Sequence, residues 1–396
     1  MNRIARSLLR AERRSDFVSL INTNFHSCGL YPDEELLRAA IGRALDPPRR
    51  EYAPDPAGLR GLRQAVARYY ADSGVVVGPE SIVVTASASE SYRHVFTGHC
   101  ARGGEVLLPR PGYPLFEEVA MRCGLNPRSY DLDPAAGWRV DTASLVALIG
   151  PTTTAVVLIS PNNPTGSVVD EETVRAIGAV CAEHDVALVV DEVFSEYRFA
   201  TGASDEADPL PRPSTLCPDT LVFTINGASK LLASPDLKVS WIVVSGPTGR
   251  REAATEALEI ENDLYLDSSP INQHAVAELL DAPGPAWGNP VAIVARRRAA
   301  MLAELESLAA RHEGTLSWVE PAGGIHLPVF LDDDGGLDDE EIAVRLLDEY
   351  ALSVHPGYLY GVEAPTMLVL SYLSPEEAIR EGMDRIDSFL SALRTT

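Results

Sequence analysis

The sequence predicts an α/β protein: a mostly parallel sheet of the seven-stranded type, flanked by helices, followed by a smaller α+β domain. Two observations carry this reading. From about Ser81 to Gly246, short apolar and β-branched runs alternate with amphipathic stretches. Runs unbroken by polar residues fit strands covered on both faces, and the alternation fits a helix-flanked sheet. After Gly246 the alternation stops, and long helical stretches lead into a short set of strands.

The elements follow in order. "SIVVTAS" is a strand before a helix through "SESYRHVFTGHC"; "EVLLP" precedes the helix "FEEVAMRCG"; "TTAVVLISP" precedes "EETVRAIGAVCAEH". "VALVVDEVF", "LVFTING" and "VSWIVVSG" are the remaining strands of this part. "REAATEALEIENDLY" and "PVAIVARRRAAMLAELESLAARH" predict long helices. Then come strand-like "LSWVE" and "IHLPVFL", a helix "DEEIAVRLLDEY", strand-like "LSVHPG" and "MLVLSYL", and a last helix from "SPEEAIREGM". The Pro/Gly-rich "DAPGPAWGNP" marks a joint. The expected division is an N-terminal arm with part of the small domain (1–45), a large domain (46–289) and a C-terminal small domain (290–396). Arg296 to Arg298 read as a solvated or pairing helix face. "LDDDGGLDDEE" lacks the Gly and Glu positions of a calcium loop and reads as a solvated turn and helix start.

Composition narrows the partners. A chain of 396 residues, 45% of them hydrophobic, can bury a large core. A formal net charge of −24 argues against nucleic acid or an anionic membrane, since phosphates would be repelled. No apolar run is long enough to span a bilayer, and the basic N-terminus lacks the apolar core of a secretory signal. Cys28, Cys100, Cys123, Cys181 and Cys217 are odd in number and without C-x-x-C spacing. They read as reduced thiols of a cytoplasmic protein.

Only two of the 33 Lys and Arg residues are lysine, Lys230 and Lys238, both in "NGASKLLASPDLK". A guanidinium stays protonated and is a poor amine nucleophile, so a lysine kept in an arginine-rich chain points to its amine. In doubly wound sheets, ligands collect at the C-terminal ends of strands. Ser87, Ala88 and Ser89 follow "IVVT" and open a helix, where free N–H groups and hydroxyls suit a phosphate. "SPNNPTG" follows "AVVLI", and its prolines and Gly166 aim the Asn163 amide inward. Asp191 ends an apolar strand, where a carboxylate needs a cation; a ligand or a buried arginine would serve. Lys230 follows "LVFTIN", and desolvation there would lower its pKa and make it nucleophilic toward carbonyls. A lysine, an acid, an amide and a phosphate cradle on adjacent strand ends suit pyridoxal 5′-phosphate.

In motif order and spacing the chain resembles the fold-type I pyridoxal-phosphate-dependent aminotransferases of class I/II, from about residue 18 to its end. The resemblance rests on Tyr52, Gly58, Leu62 and Arg63, on "NNPTG", "DEVF", "SK" with a basic residue eight later, and "HPGYLYG". It implies transfer of an amino group between an amino acid and a 2-oxo acid. It also implies that Lys230 carries the Schiff base and shuttles the substrate proton, while Asp191 keeps the ring nitrogen protonated. Asn163 would bond the ring 3′-oxygen, Tyr113 would stack on the ring, and Ser87, Ala88, Ser89 and Lys238 would bind the phosphate. Tyr52 would reach that phosphate from the neighbouring subunit of a homodimer.

Three positions depart from the family pattern. Lys238 stands where an arginine is commoner, and Phe194 where many relatives have a tyrosine on the 3′-oxygen, with Tyr197 the possible stand-in. Val369 stands where an arginine clamps the substrate carboxylate. Either that strand aligns otherwise, or the carboxylate is held by other groups, or the substrate is not an α-amino acid in the usual pose. The backbone at Thr23 and Asn24, and His326, are the candidate replacements. The same cofactor and fold could instead eliminate, cyclise or racemise an amino-acid substrate. A DNA-binding regulator on this scaffold is at odds with the charge.

Overall fold

The computed structural model describes residues 2–46, 49, 52–200, 207–266, 268–282, 288–332 and 335–394. The apolar runs of the central stretch form one sheet of β1 (Ile82–Thr85), β2 (Glu105–Arg110), β3 (Asn126–Asp133), β4 (Arg139–Val140), β5 (Thr153–Ile159), β6 (Ala187–Asp191), β7 (Val222–Gly227) and β8 (Ser240–Ser245). Their order is β1-β8-β7-β6-β5-β2-β3-β4. The run β7-β6-β5-β2-β3 is parallel, β8 is antiparallel to both its neighbours, and β4 is antiparallel to β3. The two-residue edge strand β4 extends the sheet one strand beyond the expected seven.

Both faces of the sheet are buried, which is why its strands read as unbroken apolar runs. Along β5, Ala155, Val157 and Ile159 join one core cluster, while Val156 and Leu158 join the other. That is the two-residue period of a strand with helices on each side. Two of the crossing helices start where a side chain takes up a free N–H. Ser87 caps the helix Ala88–Gly98 and Asp170 caps Glu171–Glu183.

A second sheet comprises β9 (Leu316–Trp318), β10 (His326–Leu331), β11 (His355–Pro356) and β12 (Met367–Ser371). Its order is β9-β10-β12-β11, antiparallel throughout. The N-terminal segment belongs with it, since Val18–Ser19 pairs in parallel with Leu352–Ser353. The helices Gly288–Arg311 and Glu376–Leu393 pack into the same apolar cluster, which includes Leu305, Leu327, Leu370 and Phe389.

Two readings of charged stretches need correction or limits. Arg297 and Arg298 are buried, not solvated. Arg297 donates to the carbonyls of Cys28 and Leu373, tying the long helix to both ends of the chain, and Arg298 donates to Pro321 O and Glu320. The pairing half of the expectation holds for Arg296, with Glu376, and for Arg298, with Glu320. The Pro/Gly joint lies partly outside the described residues, as do residues 333 and 334 of the acidic stretch. The end of that stretch does start a helix: Asp338 and Glu341 form a capping box on Asp339–Tyr350. Among the described residues no helix is long and apolar enough to cross a membrane, and no cluster of His, Cys, Asp or Glu could hold a metal.

Candidate active site

The loops after β1, β5, β6 and β7 open on the same edge of the sheet and meet the small sheet across a cleft of about 480 Å³. The cleft gathers Ser87, Ala88, Ser89, Tyr113, Asn163, Asp191, Lys230 and Lys238, and with them Thr23 and His326. Two expected residues lie outside it. Tyr52 is 65% exposed on the surface of the chain. The Asn24 backbone, the candidate there, is spent on its own turn: its N–H donates to Asn22 Oδ1 and its carbonyl accepts from Cys28 N.

At one end, Ser87 caps its helix by accepting from Glu90 N at 3.2 Å. The N–H groups of Ala88 and Ser89 fall in the first turn, which has no intrahelical partners. Lys238, Ser229 and Ser240 line the same cleft. Ser229 is a contributor the sequence reading passed over, although it directly precedes Lys230.

At the other end, Asp191 is 4% exposed. Burial pushes its carboxyl up to about 6, against bonds donated by Val193 N and by the Tyr92 hydroxyl and against the charge of Lys230. The buried arginine expected as one alternative partner of Asp191 goes elsewhere: Arg212 pairs with Glu192, the next residue. Asp191 is thus left facing the cleft, where Lys230 is the cation that acts on it. Burial lowers the Lys230 amine, and Asp191 pulls it partly back. The amine lies 5.3 Å from the centre of the Phe25 ring.

Asn163 Oδ1 is buried without a partner. Its loop is seated by Gly166, whose φ is +68° and whose added Cβ would lie 2.5 Å from Pro321 Cβ. Phe194 lines the cleft, and Tyr197 does not replace the missing hydroxyl. The Tyr197 hydroxyl donates to Lys230 O at 2.9 Å. Val369 is packed in the apolar cluster with Phe330, Met367 and Tyr360. His355, another residue the sequence reading missed, lines the cleft with Tyr360.

A buried acid without an arginine, a desolvated amine, an orphaned amide oxygen and an open helix N-terminus are four separate demands. Pyridoxal 5′-phosphate meets all four through its ring nitrogen, aldehyde, ring oxygen and phosphate. Turned about, the Asn163 amide would present its NH₂ in the same position, a donor suited to a ring oxygen.

A mostly parallel sheet with these groups on successive strand ends defines an enzyme that works through pyridoxal 5′-phosphate. The chain belongs to the family of aminotransferases of class I and II, whose profile matches residues 21–386. It is 31% identical over 336 residues to the arginine–pyruvate transaminase AruH of Pseudomonas aeruginosa, covering 84% of this chain and 80% of that protein. It is 28% identical over 354 residues to the aspartate/prephenate aminotransferase of Thermus thermophilus, covering 89% of this chain and 86% of that one. The alanine aminotransferase structure from Pyrococcus furiosus superposes with a TM-score of 0.90 over 98% of this chain and 96% of that one. At 22% identity that likeness establishes the fold. The protein is a pyridoxal-phosphate-dependent aminotransferase, moving amino groups between amino acids and 2-oxo acids.

Proposed function

We propose that Lys230 carries the cofactor and handles the substrate proton, and that Asp191, Asn163, Tyr113, Ser87, Ala88, Ser89 and Lys238 hold the cofactor in place. The observation behind this is that the lowered amine of Lys230 shares one cleft with all of these groups. When bound, pyridoxal 5′-phosphate supplies an aldehyde for the amino group and a ring that accepts the electrons left at Cα. Lys230 Nζ takes the proton from the substrate Cα and holds it until it is returned. Its desolvation favours the neutral amine this requires. Asp191 keeps a proton on the ring nitrogen through a charge-assisted bond of about 1.5 to 3 kcal/mol. Tyr113 covers one face of the ring, and Lys238 meets the phosphate as a point charge.

We assign the working unit as a cytoplasmic homodimer, each subunit divided into a large domain (46–289) and a small one built from 1–45 and 290–396. Tyr52, exposed and outside its own cleft, is available to the neighbouring subunit, and the five free cysteines suit a reducing compartment. Borohydride reduction of the loaded protein, digestion and mass analysis should find the pyridoxyl adduct on Lys230. Lys230→Ala should lose both the adduct and turnover. An adduct on another residue, or an active Lys230→Ala enzyme, would overturn the assignment.

A further inference from the structure

Among the described residues lining the cleft there is no arginine, and its two lysines sit at the cofactor end. An amino-acid substrate still brings a carboxylate, and it must come to rest against the small sheet. On that wall the register is specific. His326 pairs with Ser371, Pro328 with Val369, and Val369 with His355. His326, Val369 and His355 therefore share one face of the sheet, and both histidines reach the cleft. Val369 remains in the apolar cluster beneath them.

The imidazole of His326 is 4% exposed, and neither ring nitrogen has a partner. An unsatisfied buried polar atom destabilises the fold, so a ring with two of them is suited to a ligand atom. His355 uses Nδ1 on the Tyr360 hydroxyl at 3.0 Å, which leaves Nε2 available to the cleft. Two imidazole nitrogens on one face match the two oxygens of a carboxylate. An ammonium or guanidinium fits badly, because Lys230 acts on this site and Asp191, the only acid among the described residues lining the cleft, is at the ring end.

We propose that His326 and His355 together hold the α-carboxylate of the substrate in place of a guanidinium, and that the pair takes up a proton as the carboxylate binds. This rests on the aminotransferase reading above. The titratable groups acting on His326 are His355 and Lys230; Asp191, Lys238, Tyr113 and Tyr360 line the rest of the cleft. With these neighbours both imidazoles are neutral before substrate arrives, His326 pushed down to about 3 and His355 to about 4, mainly by burial. A carboxylate against them reverses the balance and draws in a proton. An arginine carries its charge at every pH; this site acquires one only when occupied.

The test uses the loaded enzyme with L-alanine and ethylamine, L-tyrosine and tyramine, and L-arginine and agmatine, each pair differing by one carboxylate. The wild type should convert the preferred amino acid much faster than its amine. His326→Gln and His355→Gln should each cut kcat/KM for that amino acid about tenfold or more through KM, and change the amine within about twofold. Calorimetry of 3-phenylpropionate binding in two buffers of different ionisation enthalpy should show proton uptake by the wild type that His326→Gln loses. The visible absorbance and circular dichroism of each variant report that it is folded and loaded, and either variant suffices. An unchanged acid-to-amine ratio in the variants, or equal proton uptake in wild type and variant, overturns the proposal while transamination stands. A wild type that transaminates none of the twenty standard amino acids overturns the reading on which this proposal rests, and the proposal with it.

Discussion

Tyr92 donates its hydroxyl to Asp191 at 3.1 Å, so the buried carboxylate is held by a neutral donor and not by an arginine. Without cofactor that is a poor arrangement for a charge. The Asp191 carboxyl lies at about 6, above its ordinary 3.8, because burial outweighs its two hydrogen bonds. A folded-state pKa raised in this way means that the group's contribution is most favourable below about pH 4 and is lost as pH rises through about 6. Two pH units correspond to roughly 3 kcal/mol. Cofactor-free Asp191→Asn should therefore resist urea better than the cofactor-free wild type at pH 7.5, by up to about 3 kcal/mol, with the gap closing near pH 4. On the proposed assignment the ring cation would supply the missing partner in the loaded protein, and the order should reverse. Identical pH dependence of the two cofactor-free proteins would show that Asp191 is not strained in this way.

On the proposed assignment, Phe194 would leave the ring 3′-oxygen with Asn163 and no phenol, since Tyr197 spends its hydroxyl on the Lys230 carbonyl. A phenol donating to that oxygen would stabilise it as an anion and lower the pH at which the linkage to Lys230 loses its proton. Phe194→Tyr should shift the pH midpoint of the visible band down by about one unit. Tyr197→Phe should leave the midpoint in place and cost about 1 kcal/mol of stability. The reverse pattern in an absorbance titration would mean that Tyr197 reaches the ring after all.

The parts of this molecule legible in its sequence are those set by local chemistry. β1, β2 and β5 to β8 announced themselves because both their faces are buried. β3 did not, because outward-facing Arg128 and Asp131 interrupt its apolar positions. β4, only two residues long, makes no pattern at all. Lys230 stood out as one of two lysines among 33 Lys and Arg residues, and Asp191 as an acid closing an apolar run. Tyr92 reads as an ordinary core tyrosine, and only the packing of its helix against β7 and β8 brings its hydroxyl to Asp191. His355 is invisible for a similar reason: its position beside the cleft follows from the register that sets it opposite Val369. The arginines at 297 and 298 misled because charge was read as exposure, whereas their donors satisfy backbone carbonyls at the meeting of three segments.

Tyr52 supplies the sharpest test of the homodimer. It is 65% exposed and does not line the cleft of its own chain, so a role at the phosphate requires a second subunit. Tyr52→Phe alone should weaken cofactor retention, and Lys230→Ala alone should be inactive. Mixed by denaturation and refolding, the two variants form hybrids in which one site combines an intact Lys230 with an intact Tyr52 from the other chain. The remaining site carries both defects. Random pairing makes half the dimers hybrids with one intact site each, so the mixture should reach about a quarter of wild-type activity. If Tyr52 instead serves its own chain, no hybrid site combines intact residues from two subunits. The mixture would then show only the residual activity of the Tyr52→Phe chains, diluted by half.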